Sequence, residues 1–134
     1  MSQHRTPSKR SKYYLPKETF LTVVHYCKQY PLWVHELTTL QGTKGIAYDG
    51  DRVQTSHDSD PTYEMAMKRE EYRKKKDKVD EVAYFVAGGM AEWIVRGACY
   101  DMPFYKLRQD GIPCEKNLYY RLRRRFYYEM SKKI

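Results

Sequence analysis

The sequence predicts an all-α protein, a small helical domain that ends in a helix-turn-helix. The patterned segments repeat apolar residues at the i, i+3 and i+4 spacing of helices. The last quarter, Met102–Ile134, has the pattern of a short helix, a glycine turn and a long basic helix. At 134 residues the chain has room for one small core, with or without an arm.

The N-terminal residues 1–14 are predicted to be a basic disordered arm. Arg5, Lys9, Arg10 and Lys12 occur there without an acid, in a stretch containing Ser and Pro. Such an arm could follow the phosphates of a nucleic acid or serve as a solubilising tail, and the pattern favours neither.

Residues 15–40 are predicted to form a kinked helix or a helical hairpin. Pro16 opens the helix, and Glu18 places a negative charge in its first turn. Pro31 interrupts the pattern because proline lacks an N–H and clashes with the preceding turn. The apolar positions before the interruption are Phe20, Leu21, Val24 and Cys27, and those after it are Trp33, Val34, Leu37 and Leu40.

Residues 41–61 are predicted to be a flexible loop, because they are rich in Gly and Asp and follow no sustained period. Residues 62–134 then hold a long helix and the helix-turn-helix. Asp60 is expected to cap the long helix and Pro61 to start it. Gly88 and Gly89 should break or bend it.

The long helix is polar nearly all round, apart from a heptad line. It therefore packs on the protein's own first helix or pairs along one seam with another chain. The line consists of Met65, Tyr72, Val79 and Val86. A short apolar helix follows, with Trp93 and Ile94 expected beneath the helix-turn-helix and Gly97 at its end.

The helix-turn-helix prediction depends on a few positions. Asp101 is an expected N-cap, Phe104 and Leu107 point inward, and Gly111 supplies the positive φ that a sharp reversal needs. The second helix begins after Pro113 without a Ser, Thr, Asn or Asp cap.

The second helix is amphipathic at 100° per residue. Its predicted inner stripe is Leu118, Leu122, Phe126 and Met130, with Tyr119 on the flank. Its predicted outer side is Asn117, Tyr120, Arg121, Arg124 and Tyr128. Leu118 comes one residue later after the turn glycine than in a standard motif, so the spacing is a variant.

Charge points to double-stranded DNA as the partner. From residue 103 onward the sequence contains nine Lys or Arg and three Asp or Glu, and this excess accounts for most of the net charge of +8. Helices in the major groove neutralise phosphates with Lys and Arg and read base edges from their N-terminal turns. The alternative is a solvated charged face without a partner.

Ten residues are the candidate DNA contacts. Those expected to face the groove are Lys116, Asn117, Tyr120, Arg121 and Arg124. Those expected to hold phosphates are Arg123, Arg125 and Lys132, with Lys106 and Arg108 positioning the backbone from the preceding helix.

Other function classes have little support in the sequence. No apolar run approaches the roughly 20 residues of a membrane span, and the N-terminus lacks a signal-peptide segment. The sequence contains no nucleophile–base pair, phosphate loop or paired metal-ligand spacing, so we expect no catalysis, metal or cofactor. Three widely spaced cysteines, Cys27, Cys99 and Cys114, suit reduced thiols in a cytoplasm.

The layout resembles the phage late-gene transcriptional regulators of the RinA and ArpU type, whose C-terminal part is similar to region 4 of bacterial sigma factors. The shared features are Tyr30 and Pro31 in the first helix, residues 62–66, and above all GIPCEKNLYYRLRRRF. The resemblance covers most of Lys12–Ile134, although only the terminal motif is specific.

The resemblance implies a phage or prophage protein in a bacterial cytoplasm. It would bind promoter DNA and activate late, packaging-related transcription, and its first helices could contact host RNA polymerase. The resemblance does not specify the oligomeric state. The alternative is a phage inhibitor or packaging adaptor that binds DNA or an acidic protein without sequence preference.

Overall fold

The computed structural model describes residues 6–47 and 59–134, with side chains described for 6–39 and 62–134. These residues form six α-helices and one short 3-10 helix, and no strand occurs among them. The helices are α1 (Lys17–Cys27), α2 (Tyr30–Ala47), α3 (Ser59–Ala87), α4 (Ala91–Cys99), α5 (Phe104–Gln109) and α6 (Lys116–Ser131), with the 3-10 helix at Gly88–Met90. The predicted all-α class is confirmed.

The N-terminal residues 6–14 differ from the disordered arm that the sequence predicts. They form two turns, in which Ser11 N donates to Ser8 O at 2.9 Å and Tyr14 N donates to Ser11 O at 3.1 Å. Pro7 and Leu15 are buried. Serine hydroxyls that accept local backbone N–H groups and a buried proline together hold this segment in place. Residues 1–5 lie outside the described part.

The first helical region consists of two helices separated by two residues. Lys28 N donates to Val24 O and Gln29 N to Tyr26 O, which closes α1. Pro31 is the second residue of α2, where its missing N–H leaves no intrahelical bond unmade. The helical region is therefore interrupted at Lys28 and Gln29, and the second helix begins at Tyr30, one residue before the proline.

The segment expected to be a loop, residues 41–61, is shorter in the structure. Helix α2 continues to Ala47, and α3 begins at Ser59, two residues before the predicted start at Pro61. Residues 48–58, the rest of the expected loop, lie outside the described part of the chain.

The chain divides into two compact units. One comprises residues up to Tyr30 together with Lys78–Ile134, and the other comprises Pro31–Asp77. In the first unit α1 packs on α4 and α6, and α4 also packs on α5 and α6. Its most deeply buried side chains include Phe20, Val24, Cys27, Val79, Ile94, Leu107, Tyr119, Phe126 and Met130. In the second unit Trp33 is buried.

Gly97 does not end α4, as the sequence predicts, but lies inside it. A Cβ built on Gly97 would come within 1.6 Å of the Tyr119 hydroxyl oxygen. The glycine is therefore needed because α6 places a tyrosine directly against the α4 backbone. Only the tertiary packing of α4 on α6 creates this requirement.

Asp101 is not the N-cap of α5. It follows α4 with a φ of 55°, and the next N–H, that of Met102, donates to Arg96 O at 3.2 Å. Pro103 immediately precedes α5, and no side chain caps the helix. Asp101 has the left-handed backbone conformation through which the chain leaves α4. Asp is one of the few non-glycine residues that adopt this conformation readily.

Candidate nucleic-acid interface

Helices α5 and α6 are joined by a turn at Gly111. The φ of Gly111 is 100°, its N–H donates to Arg108 O, and Ile112 N donates to Leu107 O, each at 3.0 Å. Phe104 and Leu107 are buried, as predicted. The start of α6 at Lys116 has no side-chain cap, which also agrees with the sequence. The glycine turn between the two terminal helices is therefore confirmed.

We expect Gly111→Ala to cost about 1 kcal/mol of unfolding free energy, because alanine is strained at positive φ. The space around the position is open, with nothing within 4 Å of a built Cβ, so a steric clash adds nothing. Urea denaturation measures the effect, and Gly111→Asn, which tolerates this backbone region, should lose less. Equal stability of Gly111→Ala and the wild type would contradict the strain argument.

The buried face of α6 is rotated from the predicted one. The buried residues are Tyr119, Arg123, Phe126, Tyr127 and Met130, whereas Leu118 and Leu122 are only half-buried. Tyr119 approaches α4 at Gly97, and the Tyr127 ring lies edge-on to Phe20 of α1 at 5.4 Å. These two contacts, which are long-range in sequence, turn the helix toward its tyrosines.

Arg123, predicted to hold phosphates, is only 7% exposed. Its guanidinium Cζ lies over the ring of Tyr120 at 4.8 Å, and the centroids of Tyr119 and Tyr127 are 5.7 Å and 6.0 Å away. Burial raises the pKa of Tyr119 and Tyr127 above the ordinary value, and the Arg123 charge opposes both increases. A cation is thus held in an aromatic setting.

A groove of about 1180 Å³ opens over this cation. One wall is the N-terminal segment, which we define as residues 6–11. The other wall consists of α5 and the first half of α6. The lining residues are Thr6, Pro7, Ser8, Ser11, Phe20, Pro103, Phe104, Tyr105, Arg108, Lys116, Asn117, Tyr120, Arg123, Arg124 and Tyr127.

Six of the ten predicted contact residues line this groove. They are Arg108, Lys116, Asn117, Tyr120, Arg123 and Arg124. Arg108, Lys116, Asn117 and Arg124 are exposed and Tyr120 is half-buried, so they lie above Arg123. The sequence missed the opposite wall, whose only local signal is the turn-forming pattern of Pro7, Ser8 and Ser11.

The other four predicted residues lie outside the groove lining. Lys106 and Arg121 are exposed. Arg125 is half-buried, with its guanidinium 5.4 Å from the centroid of the Phe85 ring. Lys132 pairs with Glu129 at 3.6 Å and lies over the Tyr128 ring at 4.7 Å. Lys132 and Arg125 are therefore engaged within the protein, whereas Arg121 extends the exposed basic face.

The groove is electrostatically one-sided. Four of its lining residues are Arg or Lys. Within the described part of the chain, no Asp or Glu lines the groove. Two nearby acids pair elsewhere, Asp110 with Arg96 at 3.8 Å and Glu129 with Lys132. Arg108, Lys116 and Arg124 form no ion pair with any described residue. The site is suited to an anion.

None of the three cysteines lines the groove. Cys27 and Cys99 are buried, and Cys114 is half-buried. A hydrogen bond with Cys27, together with burial, raises the pKa of the Cys99 thiol. Across residues 6–47 and 59–134, no group of three His, Cys, Asp or Glu could hold a metal ion.

None of the helices in the described ranges is both long and apolar enough to cross a membrane. No family model, curated protein or solved structure matches the chain.

Proposed function

We propose that the protein binds double-stranded DNA through α5 and α6 and regulates transcription. The observation that carries the proposal is the groove lined by four cations and no described acid, beside the exposed face of α6. Phosphate contacts of this kind supply most of the affinity of DNA-binding proteins.

Sequence would be read from the exposed rim of α6. Asn117, Arg121 and Arg124 lie on the solvent side of its first three turns. Asparagine can bind adenine and arginine can bind guanine, each with two hydrogen bonds in the major groove. Lys106 and Lys116 are exposed where they can position the phosphate backbone.

The proposed setting is a phage or prophage regulator of late or packaging genes in a bacterial cytoplasm. The sequence resemblance to the RinA and ArpU type supports this setting, and under it the first helices would contact host RNA polymerase. A second candidate is binding without sequence preference, as in an inhibitor or packaging adaptor. The cations in the groove favour it, because contacts with phosphates carry no sequence information.

Selection of bound duplexes from a random-sequence library separates the two candidates. A regulator returns a motif, and its affinity for that motif exceeds its affinity for random duplexes at every salt concentration. A sequence-tolerant binder returns a flat profile and one salt curve for all duplexes. Failure to retain any duplex would reject both DNA-binding functions.

Replacing Arg121 and Arg124 together with Ala should weaken binding to the selected duplex by about 2 kcal/mol or more, roughly 30-fold at least, because each base-edge pair contributes about 1 to 3 kcal/mol. Fluorescence anisotropy measures the affinity. The matched control replaces Lys68 and Lys74, two exposed residues of α3, and removes the same charge. Equal affinities of the two double variants would exclude α6 as the reading helix.

A further inference from the structure

We propose that the groove holds the sugar–phosphate backbone of one DNA strand, with a phosphate seated against Arg108, Lys116 and Arg123 and the N-terminal segment closing the other side. This inference rests on the proposed DNA binding and specifies how the backbone is held. It assigns the buried Arg123 to the phosphate seat and brings residues 6–11 into the interface.

The shape of the groove favours a strand over a base pair. A reading helix must project into a major groove about 12 Å wide to reach base edges. Lys116 and Arg123 instead line a concave surface together with the N-terminal segment. A concave seat receives one backbone. Asn117 and Arg124 at its exposed rim, and Arg121 outside the groove, stay free to face the bases.

The size of the groove favours a chain over a small molecule. Its volume of about 1180 Å³ exceeds the range of about 300 to 1,000 Å³ that is typical of small-molecule pockets. A volume of this size admits a run of several nucleotides, with phosphates along the cations and sugars against the rings of Tyr105 and Tyr120.

Arg123 is held ready to receive a phosphate. Its guanidinium lies among three tyrosine rings within 6.0 Å, so its side chain has already lost rotamer freedom before DNA arrives. Arginine is suited to two-pronged phosphate recognition, and low exposure strengthens the attraction because water screens it less.

The N-terminal wall adds hydroxyl donors. Ser8 Oγ accepts the Arg10 N–H at 3.1 Å, and Ser11 Oγ accepts the Tyr13 N–H at 3.0 Å. Because each hydroxyl oxygen is used as an acceptor, its own O–H hydrogen remains to be donated. Serine hydroxyls commonly donate to phosphate oxygens in DNA complexes.

The first test measures the salt dependence of binding to a fluorescein-labelled duplex of roughly 20 base pairs, about two helical turns. Each phosphate contact contributes about 0.9 to the slope of log affinity against log salt. Arg108→Gln with Lys116→Gln should therefore lower the slope by about 2. Both side chains are exposed, so the fold is kept. Lys68→Gln with Lys74→Gln removes the same charge and should leave the slope unchanged.

The second test uses Arg123→Lys, which keeps the charge but loses the planar group. It should lose affinity for the unmodified duplex. For the wild type, an uncharged methylphosphonate in place of the seated phosphate should lower the affinity. For Arg123→Lys the same replacement should make no difference, since the lysine does not hold that phosphate with two hydrogen bonds. Urea denaturation confirms that the variant is folded. If Arg123→Lys and the wild type lose the same affinity on methylphosphonate substitution, Arg123 does not contact the phosphate.

The third test locates the N-terminal wall. A photo-cross-linker attached to Ser8→Cys, in a Cys114→Ser background, should couple to the duplex. The same reagent on Asp77→Cys, an exposed α3 position, should not. Suppose that the wild type binds the duplex, that Ser8→Cys does not couple to it, and that the two double Gln variants have equal salt slopes. The proposed phosphate seat is then wrong, and the proposed DNA binding by α6 is unaffected. If the wild type binds no duplex, the proposed function itself fails.

Discussion

Gly97→Ala is expected to destabilise the protein by several kcal/mol, because the new methyl group would overlap the Tyr119 side chain. The built Cβ lies 1.6 Å from the Tyr119 hydroxyl oxygen, 2.8 Å from Cζ and 3.4 Å from Cε1. Tyr119 is 0% exposed, and its ring is flanked by Tyr120 at 5.0 Å and Phe104 at 5.5 Å. The ring therefore has no space into which to swing, and α4 and α6 must separate.

Urea denaturation measures this loss, with Gly89→Ala as the control. A Cβ at Gly89 meets nothing within 4 Å, so that variant should keep its stability to within about 1 kcal/mol. Adding Tyr119→Phe to Gly97→Ala removes the overlapping oxygen and should restore part of the loss, a non-additive result expected of residues in contact. If Gly97→Ala and Gly89→Ala unfold at the same urea concentration, the close approach of Tyr119 is not real.

The second large effect is loss of stability above about pH 10. The pKa values of Tyr30, Tyr119 and Tyr127 are raised in the folded protein, chiefly by burial, and for Tyr30 also by its hydrogen bond to Asp80 Oδ1 at 2.7 Å. In the unfolded chain these phenols ionise near pH 10. The stability that these neutral phenols contribute is thus complete below about pH 10, and it falls as pH rises through the window between the unfolded and folded pKa values.

The magnitude is set by linkage between ionisation and folding. Each tyrosine that stays neutral only in the folded state lowers the unfolding free energy by at most about 1.4 kcal/mol per pH unit, so the three together have an upper limit of roughly 4 kcal/mol per unit above about pH 10. Urea midpoints at about pH 9 and about pH 11, with tyrosinate absorbance as a second signal, test this. Tyr127→Phe should reduce the pH dependence, and Tyr105→Phe, whose ring is exposed, should not. A midpoint independent of pH across this interval would show that the phenols are not held neutral.

The sequence predicted those parts of the fold that depend on neighbouring residues. Helical spacing identified the all-α class, and the inward Phe104 and Leu107 followed from an i, i+3 pattern. Gly111 was identifiable as the turn because positive φ is a local property of the backbone. The absence of a cap before Lys116 is equally local.

The candidate site was predicted in part. Charge and amphipathic spacing identified Arg108, Lys116, Asn117 and Arg124, which the structure brings together in the groove. The wall formed by residues 6–11 was missed, because a segment with few apolar residues has no periodicity and its placement depends on helices distant in sequence.

The tertiary structure alone decided the orientation of α6 and the burial of its side chains. Residues such as Tyr119 and Arg123 are amphipathic, so local spacing assigns them to either face of a helix. Contacts between α6 and the distant Gly97 and Phe20 turned both inward, making Gly97 a packing glycine and Arg123 a buried cation. The sequence by itself determined helices, turn and charge, which depend on residues a few positions apart. Packing between helices separated by tens of residues decided which of those charges lie in a groove.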